Sequence, residues 1–485
     1  MWSPRSAPDA CPGTLRPHRA ADGGLVRVRA PGGRLRAGQL AVLAAAAAEF
    51  GDGALELTSR GNLQLRGLAP EGEREFAGRL AAAGLLPSPS HERVRNVIAS
   101  PLSGRDGAGR YDVRPLVTAL DEGLCADPVL AGLPGRFLFT LDDGRGDVTG
   151  FGGDVGLLAV GDGALALLLD RVDTGVRVRP GEAAGAALLA ARAFLDERAA
   201  QGSSAWRLAE LAGGAARVAA RLRAALSASG MPATSAPDRA AADRPPGGTA
   251  LDRPDDPVAD RPVGGIAAPA GRPPLGRIAQ CDGRYALSAA APLGRLTAPM
   301  LDLLDAAARA GGDEINITPW RSVVIPDLAA REASRWLGAL AAGGLVTDPG
   351  SPWAGVSACA GRPGCARSLA DVRADADAAL DHRSGPPPVP GPPPRALPAR
   401  ASAVRAASAQ ALPAQALPAR GAPAGDVLPV HWVGCGRRCG RPAERHVEVL
   451  ATAQGYEVRL DGALRSRSAE LTETAAAIAA ARRDA

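Results

Sequence analysis

The sequence predicts an α+β protein built from a duplicated unit of ferredoxin-like type, and three observations carry that expectation. The first is an internal repeat: "PGGRLRAGQLAVLAAAAAEFGDGALELTSRGNLQLRGL" from Pro31 aligns with "PLGRLTAPMLDLLDAAARAGGDEINITPWRSVVIPDL" from Pro292, with a single gap at the Gly-Asp turn. The second is the change of hydrophobic period inside each copy, a β-type run, an amphipathic Ala/Leu helix and a second β-type run. The third is composition: 46% apolar residues are enough for real cores, so a wholly disordered chain is excluded. Strand, helix, strand in duplicate is the simplest signature of a ferredoxin-like α+β fold.

In the first copy, "LVRVRA" from Leu25 reads as the opening strand and a helix starts near Leu40. The stretch "LELTSRGNLQL", Leu55 to Leu65, then reads as one strand, with Thr58, Arg60, Asn62 and Gln64 on the face away from Leu55, Leu57, Leu63 and Leu65. A strand face that holds an arginine and two amides must meet something polar. The second copy repeats the feature: a helix near Leu301 leads into "EINITPWRSVVI", where Thr318 matches Thr58 and Trp320 or Arg321 falls near Arg60.

A chain of 485 residues suggests about three domains at roughly 150 residues each. Two stretches have linker composition. Residues 230–275 repeat "DRP" among Pro, Gly and Ala, and residues 384–425 run "SGPPPVPGPPPRALPARASAVRAASAQALPAQALPARGAPAG". Neither can bury enough side chain to offset ordering entropy, so both are expected to be mobile.

Lysine is absent, and all 56 basic residues are arginines scattered among 51 acids, for a net charge of +5. Nucleic-acid binding normally needs a clustered basic stripe; the scatter suits an anionic small molecule better, because guanidinium forks match carboxylates. No apolar run approaches the 18 or more residues of a spanning helix, and "MWSPRSAPDACPG" lacks the apolar core of a signal peptide. The expectation is a soluble cytoplasmic protein with no membrane and no nucleic-acid partner. Thiols there stay reduced, so clustered cysteines read as metal ligands or catalytic groups.

Of seven cysteines, four have meaningful spacing. Cys359 and Cys365 lie in "ACAGRPGCARSLADVRADA", and Cys435 and Cys439 in "HWVGCGRRCGRP". Iron–sulfur clusters take four thiolates from short Gly-rich turns, and Gly361, Gly364, Gly434, Gly436 and Gly440 supply that setting. Zinc sites usually space their first two ligands by two to four residues, which the Cys359–Cys365 gap exceeds. Unrelated buried thiols are the plain alternative. Cys11, Cys125 and Cys281 stand alone and read as structural.

The strand "LTSRGNLQLRGL", its duplicate "ITPWRSVVIP", the segment "RNVIASP" at Arg95 and the two cysteine pairs together resemble the nitrite/sulfite reductase ferredoxin-like superfamily, whose members bind siroheme beside a [4Fe-4S] cluster. Within it, "LPGRFLFTLDDGRGDV" at Leu133 and both cysteine motifs are most similar to the precorrin-3B synthase family of aerobic cobalamin biosynthesis. Two departures from the reductases stand out. Arg438 precedes Cys439 where they typically have Asn, and Arg136-Phe137-Leu138 replaces their oxyanion-binding Lys-Phe-Lys.

The resemblance implies two ferredoxin-like half-domains, 1–75 and 276–346, each followed by a reductase-like α+β domain. These would be 76–229, and 347–485 as the cluster domain with its insert 384–425, with 230–275 as linker. It implies a [4Fe-4S] cluster on Cys359, Cys365, Cys435 and Cys439. It implies further that Arg29, Arg60, Arg66, Arg95, Arg136 and Arg321, with Asn62 and Gln64, hold the carboxylate arms of precorrin-3A. The implied reaction is O2-dependent hydroxylation at C20 with γ-lactone closure.

A cluster moves one electron, so O2 activation needs a second site, which the family resemblance assigns to a mononuclear non-haem iron. The acid-rich turn offers Asp143 and Asp147 as hard-oxygen ligands, although a plain Asp-Gly turn accounts for the same residues. Neither a nicotinamide fingerprint nor a flavin motif is visible, so reduced pyridine nucleotide is expected to act through a separate reductase. The alternatives are a siroheme-dependent nitrite or sulfite reductase, and a cluster-bearing electron-transfer protein.

Overall fold

The computed structural model describes residues 9, 11–161, 163–231, 234–235, 271–384, 428–442 and 444–483. Apart from their margins, the linker stretches 230–275 and 384–425 lie outside the described residues. The chain is α+β throughout. The first repeat contributes β1 (His18–Ala20), β2 (Gly23–Val28), β3 (Arg34–Arg36), α1 (Ala37–Phe50), β4 (Ala54–Leu57), β5 (Leu63–Leu68) and α2 (Glu73–Ala82). A second unit follows with β6 (Val97–Ala99), α3 (Arg114–Ala126), β7 (Phe139–Asp142), β8 (Val155–Gly161), β9 (Ala164–Leu169), β10 (Val172–Val178), α4 (Pro180–Ala200), α5 (Gly214–Ala228) and β11 (Thr234–Ser235). The second repeat supplies β12 (Gly276–Ala279), β13 (Tyr285–Ala290), β14 (Arg295–Thr297), α6 (Ala298–Ala310), β15 (Glu314–Ile317), β16 (Ser322–Leu328) and α7 (Ala330–Ala342). The last unit has β17 (Val356–Ala358), α8 (Val372–Ser384), β18 (Val430–Val433), β19 (Val447–Thr452), β20 (Gly455–Leu460), β21 (Ala463–Ser468) and α9 (Leu471–Arg483). Among the described residues no helix is long and apolar enough to cross a membrane.

The two repeats are joined by a reciprocal exchange of strands. Their sheets run β1-β2-β5-β4-β14 and β12-β13-β16-β15-β3, so each copy lends the short strand before its helix to the edge of the other's sheet. Leu296 pairs with Leu55, and Leu35 with Ile315. Each borrowed strand covers an edge that would otherwise present unpaired N–H and C=O groups. Behind the sheets, α1 and α6 bury Leu40, Leu43, Ala47, Leu301, Leu304 and Ala308 in one shared core. Alanine on both helices lets the backbones approach, which explains how a chain with only 3% aromatic residues packs this layer.

The stretch Leu55–Leu65 is not a single strand, which corrects the sequence reading. It is a hairpin: β4 and β5 are antiparallel, and residues 58–62 form the turn between them. Thr58 N–H donates to Asn62 O at 2.9 Å and Gly61 N–H to Thr58 O at 3.1 Å, with Gly61 at φ +63°. The leucine alternation survives because Leu57 and Leu63 face each other across the hairpin, so period alone hides the reversal. The second repeat turns the same way, with Thr318 N–H to Ser322 O at 2.9 Å and Arg321 N–H to Thr318 O at 3.2 Å. Arg321, and not Trp320, therefore occupies the place of Gly61.

Candidate active site: four thiols beside an arginine chamber

The two cysteine loops converge because of strand direction. Strands β17 and β18 are adjacent and parallel, with Ala358 opposite Trp432, so the loops carrying Cys359 and Cys435 leave the same end of the sheet. Cys359 N–H donates to Trp432 O at 2.9 Å and Leu369 N–H to Gly434 O at 2.8 Å, tying one loop to the other. The N–H of Gly434 donates to Cys359 Sγ at 3.3 Å. No side chain fits at Gly434, where a Cβ would lie 1.8 Å from Ser368 Oγ. Burial pushes the Cys359 thiol up, as do the neighbouring Cys439 and Cys365. Burial likewise raises Cys439, with Cys435 and Cys365 adding to the rise. These electrostatic influences make Cys365 a neighbour of both Cys359 and Cys439, and Cys435 a neighbour of Cys439. Four convergent thiols on Gly-rich loops with a backbone N–H on sulfur fit a four-thiolate iron–sulfur cluster.

The first repeat carries a group of buried arginines, Arg27, Arg29 and Arg60, which adjoin Arg136. Arg29, just past β2, is 3% exposed, and among the described residues its Nε, Nη1 and Nη2 have no hydrogen-bond partner. Burial holds its pKa well below the ordinary arginine value, and Arg27 lowers it further. Arg27 donates from Nη2 to Gln64 Oε1 at 2.9 Å, but its Nε is unpartnered. Arg60 donates to Arg136 O at 3.1 Å; burial and then Arg207 bring its pKa down to about 10, which leaves it cationic at neutral pH. The Arg136 guanidinium lies 5.6 Å from the Trp206 ring centre and within electrostatic reach of Cys439. A buried guanidinium without an acceptor costs free energy until an anion meets it. Arg27 and Arg207 were not anticipated. Arg27 was findable, since it lies two residues from Arg29 on the same strand face; nothing in the sequence marked Arg207.

The remaining anticipated anion holders are committed to partners inside the protein. Asn62 accepts from Ala30 N–H at 3.0 Å and donates to Asn96 Oδ1 at 3.4 Å, and Gln64 joins Arg27 to Glu56. Arg95 is paired through two nitrogens with Asp121, at 2.7 and 2.6 Å. Arg66 pairs with Asp22 at 2.7 Å and donates to Gly364 O at 2.5 Å. Arg321 donates to Gly440 O; burial brings its pKa to about 10. Arg29, Arg60, Arg136 and Arg321 are the anticipated residues whose guanidinium groups have no carboxylate ion-pair partner among the described residues, and of these Arg29 has no hydrogen-bond partner either.

Asp143 and Asp147 do come together with Asp142, their oxygens within 4.8 Å of one another. Their surroundings do not fit a non-haem iron. Asp142 accepts from Gly144, Gly146, Val148 and Thr149 N–H groups and from Thr149 Oγ1. Arg145 pairs with Asp143 at 2.8 Å and reaches within 3.9 Å of Asp147, so a protein cation already meets the charge. Burial, with Asp142 alongside, lifts Asp147 to about 8. Among the described residues no histidine joins the group, whereas such irons prefer two. The trio also lies at the far end of β7 from Arg136, with Phe139, Thr140 and Leu141 between, or about 10 Å of strand at about 3.3 Å each.

Comparison with known proteins agrees with this architecture. Residues 16–83 and 277–343 each match the nitrite/sulfite reductase ferredoxin-like half domain. A ferredoxin–nitrite reductase of Synechococcus elongatus is 39% identical over 127 residues, 25% of each chain. A precorrin-3B synthase of a Sinorhizobium species is 35% identical over 135 residues, 28% of each. An assimilatory ferredoxin-dependent nitrite reductase of Haloferax mediterranei is 26% identical over 376 residues, 72% of this chain and 62% of that one. The alignments with the first two span about a quarter of those relatives' length. The Mycobacterium tuberculosis NirA structure superposes with a TM-score of 0.62 at 20% identity, over 91% of this chain and 75% of that chain. Two matched half domains and the shared fold tie this duplicated architecture to the nitrite/sulfite reductase ferredoxin-like half domain.

Proposed function

We propose that the chain is an oxidoreductase of precorrin-3B synthase type, which holds a polycarboxylate tetrapyrrole, precorrin-3A, in the arginine chamber beside a [4Fe-4S] cluster on Cys359, Cys365, Cys435 and Cys439. The observation that carries the reading is Arg29: a fully buried cation with three unpartnered nitrogens beside Arg27 and Arg60, linked toward the thiols through the Arg60 bond to Arg136 O and the reach of Arg136 to Cys439, calls for an anionic ligand. A macrocycle with carboxylate arms answers it, since one arm can take Arg29 with Arg27 while others reach Arg60 and Arg136. Each charge-assisted pair contributes about 1.5–3 kcal/mol. Several pairs from different elements fix the ring's orientation before any chemistry begins.

The cluster, when bound, would supply single electrons to this site. The chain's own residues do the rest of what can be derived. Arg29 and Arg60 neutralise and orient the arms, and the hydrogen-bonded loops hold the four thiols. Trp206 backs Arg136 from one side. O2 and a separate electron-donating reductase drawing on reduced pyridine nucleotide complete the proposed reaction. No step is assigned to Asp143 or Asp147.

A siroheme-dependent nitrite reductase is the second reading, favoured by the longer match to the Haloferax protein. Against it, Leu138 is 1% exposed and packed in an apolar cluster with Ile98 and Val148, so it offers no charge to an oxyanion. Anaerobic purification with iron, sulfide and pigment analysis separates the two. The expected result is about four irons with labile sulfide, no siroheme, and O2-dependent conversion of precorrin-3A. Replacing any of Cys359, Cys365, Cys435 or Cys439 with Ser should bleach the cluster's visible absorption, and the same change at Cys125 or Cys281 should not. Extractable siroheme with nitrite turnover would overturn the precorrin assignment.

A further inference from the structure

Arg321 has a backbone conformation that its counterpart assigns to glycine. In the first repeat the turn position is Gly61, at φ +63°; in the second the same hydrogen-bonded turn holds Arg321 at φ +57°. A left-handed conformation costs a non-glycine residue about 1–2 kcal/mol, and such strain persists where the surroundings hold it for a purpose. The side chain shows what that purpose is. It is 8% exposed and threads between two glycines: a Cβ on Gly294 would lie 2.6 Å from its Cδ, and one on Gly440 would lie 3.1 Å from its Nη2. Nη2 donates to the carbonyl of Gly440, the residue after Cys439. The preceding carbonyl, that of Cys439 itself, accepts from His431 Nε2 at 3.0 Å, while Ser357 Oγ lies 2.8 Å from His431 Nδ1 and fixes the ring. Two consecutive carbonyls of the last cysteine loop are thus gripped, one of them from a different domain.

The first cysteine loop is gripped in the same fashion from the other repeat. Arg66 donates to the carbonyl of Gly364, the residue before Cys365. The two clamps differ in charge. Arg66 carries its own counter-ion, Asp22, at 2.7 Å, whereas no carboxylate is paired with Arg321 among the described residues. Glu444 and Glu56 act on Arg321 only through space, so its positive charge is felt at the Cys439 side of the site, in a setting with little water to screen it.

We propose that Arg321 is a positioning residue for the cluster: from the second repeat it clamps the Cys435–Cys439 loop and, as a buried cation with no directly bonded carboxylate, raises the cluster's reduction potential. This rests on the reading that Cys439 is a cluster ligand. A cation near an iron–sulfur centre favours the reduced, more negative form, and hydrogen bonding and net charge are the means by which proteins set such potentials. Electron entry is eased without any residue touching the macrocycle.

Two variants separate clamp from charge, measured on the anaerobically reconstituted full-length protein. Arg321→Gln retains an N–H donor for Gly440 and removes the charge; it should keep wild-type iron and sulfide content while the midpoint potential moves to a more negative value. Arg321→Gly relieves the turn and deletes the clamp. Its cluster-free form should melt no lower than wild type, yet its cluster should bleach several-fold faster in air, with an altered electron paramagnetic resonance signature. An unchanged potential in Arg321→Gln, or an unchanged cluster lifetime in Arg321→Gly, would overturn the proposal while leaving the cluster assignment intact. A wild-type protein without iron and sulfide would overturn both.

Discussion

Arg27 and Arg29 of the first repeat stand, strand for strand, where the second repeat has Ser288 and Ala290: Arg27 is paired with Gln64 as Ser288 is with Val324. At the turn the contrast inverts, with Gly61 in the first repeat and Arg321 in the second. One ancestral frame has thus been loaded with charge at different places. The first repeat spends its guanidiniums on an open demand for an anion, and the second reaches away from that chamber to hold a cysteine loop. Symmetry of backbone does not imply symmetry of function, because a site for an anion needs an unmet cation, and among the described residues the guanidinium with all three nitrogens unpartnered, Arg29, belongs to the first copy.

The largest expected effect concerns the clamp of the first repeat. Arg66→Ala strands the Asp22 carboxylate and frees Gly364, and breaking a buried pair of this kind costs about 3 kcal/mol. The urea midpoint of the cluster-free protein should fall accordingly, whereas Arg321→Ala, which leaves no carboxylate stranded, should lower it far less. Equal losses would erase the distinction between the two clamps.

Arg29→Met should cut precorrin-3A affinity by about 10–100-fold, the equivalent of one charge-assisted pair. In the ligand-free protein it should raise the melting temperature, because an unpartnered buried cation disappears. Titration calorimetry and a thermal melt on the same sample check both halves. A destabilised apo variant would mean that Arg29 has a partner in solution and that the chamber is not vacant.

At the turn, Gly61→Ala forces a side chain into a left-handed position where a Cβ would lie 3.0 Å from Ile317 O, and should destabilise by about 1–2 kcal/mol. The acid trio gives an effect that is read through pH. Asp147 keeps its proton in the folded protein up to about pH 8, whereas the unfolded chain loses it near 4. Folding stability should therefore fall as pH rises through that window and level off above it. Asp147→Asn should flatten the fall, as followed by denaturation midpoints from pH 5 to 9; a slope unaltered by the substitution would show that Asp147 is ionised when folded.

Much of this was already written in the chain. The repeat, its helices and the thiol set are local patterns: apolar period, Gly-Arg-Leu matches and cysteine spacing each depend on residues close in sequence. The hairpin at Thr58–Asn62 was hidden because a turn that places Leu57 opposite Leu63 preserves the alternation of a continuous strand. The roles of the arginines were not legible at all, since every guanidinium is the same in sequence. Whether one holds a ligand depends on whether a carboxylate or carbonyl from elsewhere reaches it first. Asp121 reaches Arg95, Asp22 and Gly364 reach Arg66, and Gly440 reaches Arg321. Among the described residues no hydrogen-bond acceptor reaches Arg29. Sequence set the inventory of elements and the paired cysteines; the exchange of strands between repeats, and the competition among distant groups for each buried donor, decided which charges remain to act.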